Sequence, residues 1–563
     1  MSATGERISR IYNNFRGVDF RGEEINLIRS PDSLNVWKDY RETDSIRTRP
    51  GMKLLESFES KINGIFFYKA GTSDIMLVHS GKELYKVVNG VKTLLASDLN
   101  DAKSDSFVFD NIFYFKDGAN YLQYDGQTIK AVEGYVPTTS IGRKPNGGGT
   151  IQEDVNLLTG RRINTFLADG ESRDFFLDAQ SIDTDFKPIV KVNGNIYNGF
   201  FSVNYETGKI FFDPAPPKPL TDGQDNVSIE FKKTVPGYHD RIAKCTLLRI
   251  FDNRVFFSGN SEHPNVIWHC SLNNPAYCSD LDYYNEGLDS AKVKGMVAGN
   301  NGLWVFREPS AENTTIFYHT PTTDAEYGKI YPNTHSNITT GCIGKAINFN
   351  DDIVFFSDRG MEGISGDITT EQVIAHRSTL VDRKLITEAN YADMLLAEWE
   401  GYLIVFIDDK AYLADSRAMF TNDNHTEYEW FYWLLEKKIT SARVNSGILY
   451  LGTEDGVYTL TDTECDIESY WVTPKDKFDA PQHLKTTNKR GCVVEATGDI
   501  SIYAKIEDTD FELIGTYENI TDYFVSRIKR KKWKDIQLKF YTNKRFSLET
   551  ATLEAFIGGY IKR

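Results

Sequence analysis

The sequence predicts an all-β protein: a β-propeller of six or seven blades, carrying a small inserted β-sandwich and a second β-sandwich at its C-terminal end. Three observations predict it. Of 563 residues, 30 are Tyr and 35 are Phe, an aromatic load that favours strands over helices. Short apolar runs alternate with Asn, Asp and Gly turns at tight spacing. One unit also recurs seven times: an apolar strand, a polar turn, a very hydrophobic strand, then a polar-flanked strand. Degenerate four-stranded units repeated along a chain are the mark of a propeller, in which each blade buries the faces of its neighbours.

Residues 1–57 read as a polar, irregular arm laid over a larger body. The first blades occupy 58–150, with INGIFFYK, SDIMLVHS, KELYKVV and VKTLLAS between 62 and 97, and SDSFVFD, NIFYFKD, NYLQYDG and TIKAVEG between 104 and 134. After the glycine-rich RKPNGGGT (143–150), residues 151–233 read as a self-contained sandwich of short, turn-bounded strands with a proline cluster at 214–219. The remaining blades fill 234–467. Their aligned cores are DNRVFF (252–257), NNGLWVF (300–306), NDDIVFF (350–356) and NSGILYL (445–451), to be compared with DNIFYF at 110–115. TTEQVIAHRSTLVDRKLITE (369–388) reads as a helix between blades. Residues 468–563 read as the terminal sandwich, where Ile536, Leu538 and Phe540 alternate with Gln537 and Lys539 as a half-buried strand requires.

The formal charge is −16, and it is unevenly placed. Residues 468–563 carry 17 Lys and Arg against 14 Asp and Glu, a net +3, which leaves −19 on residues 1–467. An acidic body repels phosphates and argues against a tight DNA binder, while suiting a surface that DNA passes without sticking. No apolar run reaches the ~18 residues of a membrane helix, and the opening residues lack a signal-peptide core, so a soluble chain without an export signal is expected.

Catalytic signatures are missing from the sequence. There is no GxxxxGK[ST], HExxH or GxSxG, and GISG (363–366) reads as a blade turn. The six cysteines form no CxxC pair and read as reduced thiols. His263 and His269 fall on opposite sides of a strand, and SDLDYYNEG (279–287) lacks the sixth-position glycine of a calcium loop. The expectation is no enzyme, no cofactor and no metal. The basic run Arg527, Lys529, Arg530, Lys531, Lys532 and Lys534 admits three readings: a nucleic-acid patch, a solvated strand edge blocking aggregation, or a dock for an acidic face of a neighbouring subunit. Trp533 is its one aromatic residue, so base stacking is poorly supported. In the docking reading the partner side is DLDYYNEG (280–287), through Asp280, Asp282 and Glu286.

The arm GVDF…RSPDSLNVWKDYRETDSIRTRPGM (17–52) resembles the opening of tailed-bacteriophage virion proteins of the tail-nozzle and packaged-DNA-stabilisation type. VFFSGNSEHPNVIWHCS (255–271) with VKGMVAGNNGLWVFRE (293–308) is similar to their blades. LADG…FFLD…VKVNG…YETGKIFFDPAPP (167–217) is similar to an insert seen in phage propellers, and LEAFIGGYIKR to their C-terminal sandwich. The resemblance implies a structural virion protein of the phage tail, made in the host cytoplasm and assembled as a ring, a hexamer, at the portal–tail axis. Its partners would be copies of itself, the portal or adaptor and other tail proteins, and genomic DNA passing through the lumen without sequence-specific binding. No catalytic residue carries over. The chain is shorter than the larger nozzle proteins, which leaves its position in the virion open. A tail-tip receptor- or glycan-binding propeller is the alternative. A glycoside-cleaving propeller would require two carboxylates facing each other across a funnel.

Overall fold

A computed structural model describes residues 6–561, apart from 23–24, 42–44, 72, 300, 311–313, 326–327, 337, 366–373, 423–424, 463–465 and 530–531. Among the described residues there are seven four-stranded sheets, at 62–96, 105–131, 247–285, 293–335, 346–376, 395–434 and, with Gly51–Ser57 as its fourth strand, 441–461. The fold is a β-propeller, and these sheets are its blades.

The repeat read in the sequence has a structural cause. Each blade opens with a hairpin whose loop is two residues long. In five of them both loop residues sit at positive φ: Asp110–Asn111, Asp252–Asn253, Asn350–Asp351, Glu400–Gly401 and Ser446–Gly447. That is the backbone of a type I′ turn, whose twist matches the flanking strands and which favours Asn, Asp and Gly. The strand after the turn is the very hydrophobic one. Gly302–Arg307 and Tyr402–Ile407 are buried at every position. A blade is covered on both faces, so its inner strands do not alternate apolar with polar.

The chain divides into two compact units, and the first blade lies on the division. In the unit built mainly from residues 81–339, Phe107, Tyr114, Val255, Phe257 and Trp268 join two successive blades in one core, and Phe256, Val293, Val305 and Phe317 join the next pair. The inserted module belongs to this unit. It packs a six-stranded sheet against a three-stranded one over Phe166, Phe175, Phe212, Ile229 and Phe231. Its sheet begins with Thr138–Arg143, upstream of the expected start at 151, and RKPNGGGT is a turn inside the module. Gly147, Gly148 and Gly149 all take positive φ there, so the glycine run folds the chain back on itself and does not mark a linker.

The other unit holds three further blades, the N-terminal arm and the C-terminal module. The C-terminal module is a ten-stranded sheet organised on one 24-residue strand, His483–Ile506. That strand pairs with Phe546–Tyr560 along its first part and with Ile536–Thr542 along its last, bending at Gly491 and Gly498, both at positive φ. The sheet runs from Val36–Trp37 to Ser469–Val472, and Leu34 and Tyr470 join its two ends through paired backbone hydrogen bonds of 3.0 Å. The predicted terminal sandwich is therefore a single sheet rolled until its ends meet, closed over Trp37, Trp471, Val494, Ile502, Phe540 and Leu548.

Two further expectations are corrected. The arm is not an irregular cover. Arg7–Tyr12 pairs with Phe546–Tyr560, Ile46–Thr48 pairs with the same strand, and Gly51–Ser57 is the outer strand of the last blade. It reads as polar because its polar side chains work inside the fold. Arg29 makes two hydrogen bonds, 2.8 and 2.7 Å, to buried Glu429, and buried Arg49 donates to Asn35 Oδ1 and to the carbonyls of Pro50 and Leu434. The helix expected over 369–388 is the second correction. Residues 369–373 lie outside the described part. Beyond them, Ile374–His376 is the fourth strand of a blade and only Asp382–Leu385 is helical. Pairing with Glu362–Ile364 overrides the helical pattern.

Candidate functional site

The sequence offers two charged segments and several histidines as functional candidates. The basic segment follows an edge. Residues 512–526 run beside His483–Ile506 as Glu512–Ile520 and Tyr523–Ser526, paired on one side only among the described residues. Past them, alternation sorts the charges: Arg527, Lys529, Lys532 and Lys534 are exposed, while Ser526, Ile528 and Trp533 are buried. Trp533 stacks edge-on against Phe478 at 5.3 Å, and its Nε1 donates to Thr487 Oγ1 at 3.1 Å. Of these cations Lys532 alone lies in a strand, Lys532–Trp533, next to the buried tryptophan; Arg527 and Lys529 lie just past the edge strand Tyr523–Ser526. Arg530 and Lys531 lie outside the described residues.

Beside this row is a pocket of about 170 Å³. Ala504, Ile506, Leu513, Ile514 and Ile528 give it an apolar lining. Arg527, Lys529 and Glu512 contribute charge, and Thr509 a hydroxyl. No sequence pattern announces it, because its walls come from three stretches that only the rolled sheet brings together.

The acidic segment is held differently at each position. The backbone N–H of Asp280 donates to the Val155 carbonyl at 2.9 Å, and its carboxylate accepts from Tyr238 Oη at 3.1 Å. Burial raises its pKa. Burial also pushes the half-buried Asp282 up to about 6, against the opposing pull of Arg254. Glu286 does not belong to any surface contact. It is fully buried, with Oε1 2.9 Å from His319 Nε2 and Oε2 accepting from Asn333 Nδ2 at 3.0 Å. Along the outer strand Tyr283–Asn285 side chains alternate outward and inward, and the next inward position is Glu286. The sequence gives its charge but not its direction. The exposed residue the sequence reading passed over is Leu281, 67% accessible between Asp280 and Asp282.

The histidines are built into the blades. His269 is buried beside the Cys270 carbonyl, and burial brings its pKa down to about 4, so it is neutral. His319 has its Nδ1 2.8 Å from the Tyr331 carbonyl; burial works to lower its pKa, but the Glu286 carboxylate outweighs that and the net shift is upward. His376 lies between Glu362 at 3.2 Å and Asp382 at 2.5 Å. Burial opposes its charge, yet the two carboxylates raise its pKa to about 10, while Ser378 Oγ donates to the far oxygen of Asp382. In that arrangement the serine faces the acid and not the histidine, so it is an ion-pair lattice and not a nucleophile–base pair. Among the described residues, no group of three or more His, Cys, Asp and Glu is arranged to hold a metal ion. Cys245, Cys270, Cys278, Cys342 and Cys492 are buried; burial pushes Cys245, Cys270 and Cys492 up to about 12 and makes them unreactive. Cys465 lies outside the described residues.

No family pattern matches the chain, and no curated protein matches it by sequence. Solved structures do align with it at low similarity. BamB from Moraxella catarrhalis is 11% identical with a TM-score of 0.33, over 73% of this chain and 97% of that one. The computationally designed Ika8 protein is 11% identical with a TM-score of 0.32, over 72% and 98%. Hsv2 from Kluyveromyces lactis is 12% identical with a TM-score of 0.26, over 67% and 98%. The propeller assignment stands on the sheets themselves. No described helix is long and apolar enough to cross a membrane.

Proposed function

We propose that this chain is a structural subunit of a tailed-bacteriophage virion, a ring-forming tail or nozzle component of the packaged-DNA-stabilisation type. Copies assemble as a hexamer at the portal–tail axis, extend the DNA channel, retain the packaged genome and let it pass on infection. The observation that carries the reading is the charge split, −19 on residues 1–467 against +3 on 468–563. A duplex moving through a channel must be repelled from the wall; a basic wall would hold it through its phosphates. The resemblance of residues 17–52 to phage nozzle openings supports the same assignment. The reading contains no catalytic step. Glu362, His376 and Asp382, and Arg29 with Glu429, serve as ion pairs that tie elements of the fold together.

Electron microscopy of purified particles, with the protein labelled, tests the proposal. The expected image is a ring of copies around the tail axis below the portal. In binding assays at physiological salt the isolated protein retains no duplex DNA. A monomer at the tail periphery that binds bacterial polysaccharide on a glycan array would replace this reading with the receptor-binding one.

A further inference from the structure

Building on the ring assignment, we infer that the pocket beside Arg527 and Lys529 receives the Asp280–Leu281–Asp282 corner of a second copy of this chain. Size, polarity and charge all match. A dry apolar cavity of about 150 Å³ admits a molecule as large as benzene, so a pocket of about 170 Å³ has room for a leucine side chain. Leu281 is the exposed apolar residue that stands between two acids, and the pocket is a recess with five apolar side chains and two cations in its lining. The corner is held for the purpose: the Leu281 N–H donates to Ser279 Oγ at 3.1 Å, and Asp280 is tied to Val155 and Tyr238. Little ordering is required on docking.

Charge selects the orientation. Asp280 and Asp282 approach Arg527 and Lys529, while Glu512, also on the pocket, repels them from its own side. The exposed Leu513, Tyr523 and Val525 of the neighbouring edge add apolar area. Both complementary surfaces lie on the same chain, at different places, and the −19 and +3 regions carry opposite net charge. A contact of this kind is heterologous: repeated with a closing rotation it makes a ring, and otherwise a filament.

The test uses the full chain. Sedimentation analysis is expected to show self-association weakened about 30-fold by Leu281→Asp, with unchanged circular dichroism because the residue is exposed. Arg527→Glu with Lys529→Glu is expected to weaken it as well. Mixing a Leu281→Cys chain with a Thr509→Cys chain under mild oxidation is expected to yield the 281–509 disulfide by peptide mass spectrometry. Association of Leu281→Asp at wild-type strength together with no 281–509 disulfide overturns the contact; if particle images still show a ring, the ring assignment survives that result. A wild-type chain that neither associates nor cross-links overturns the contact too, and the particle image then decides the ring separately.

Discussion

Single residues in this chain are fixed by electrostatics and by close backbone approach. His376 is the clearest electrostatic case. Its pKa is about 10 in the fold and about 6.5 when unfolded. A raised histidine adds stability fully below the unfolded value and loses it as pH climbs through the folded one. Wild type is therefore expected to exceed His376→Gln in denaturant stability near pH 6, by on the order of 2 kcal/mol, and the gap is expected to vanish toward pH 10. A gap that widens with pH would contradict the Glu362–His376–Asp382 account. Gly17 is the steric case. It sits at φ +122, and a Cβ there would lie 1.9 Å from the Trp430 carbonyl oxygen. Gly17→Ala is expected to cost about 2–3 kcal/mol, read as a lower urea midpoint at unchanged slope.

Blade strands were legible in the sequence because a two-residue loop at positive φ leaves a chemical trace. Asp-Asn, Asn-Asp or Ser-Gly before a wholly apolar run can be read without any structure. What stayed hidden were pairings between distant segments. Gly51–Ser57 carries no mark that it completes a blade formed by residues 441–461, since its partner determines its role. Glu286 and Leu281 show the same limit at the candidate contact: the sequence gives polarity, while strand alternation turns Glu286 inward and a turn leaves Leu281 exposed. The 138–233 module is expected to fold alone, because its core of Phe166, Phe175, Phe212 and Phe231 is its own. Well-dispersed amide signals from that fragment would agree, and a collapsed spectrum would not. Loss of residues 1–57 should be far more damaging. It strips the last blade of its outer strand and the rolled sheet of three pairings, and cooperative melting of that unit is expected to disappear from calorimetry.

At the scale of the whole molecule, the charge split would make the proposed assembly salt-dependent. If subunits meet head to tail, raising ionic strength from 0.05 to 0.5 M is expected to weaken association measurably, since exposed pairs are screened within about a Debye length. Assembly indifferent to salt would place the interface energy elsewhere. The arm has another consequence, in time. Arg7 pairs with Phe556, and Gly51 with Thr461, so the earlier strand of each pair must wait for a partner made several hundred residues later. Closing a loop of that length costs on the order of 5 kcal/mol in chain entropy, and such non-local pairing is slow. A chain cut short by a nonsense codon or a protease lacks the strands its own beginning requires, and its open edges are liable to aggregate. Folding is thus conditional on synthesis having passed residue 560: only a copy that carries both Gly51–Ser57 and residues 441–461 can close its last blade, and only one that carries both Arg7–Tyr12 and Phe546–Tyr560 can close its rolled sheet.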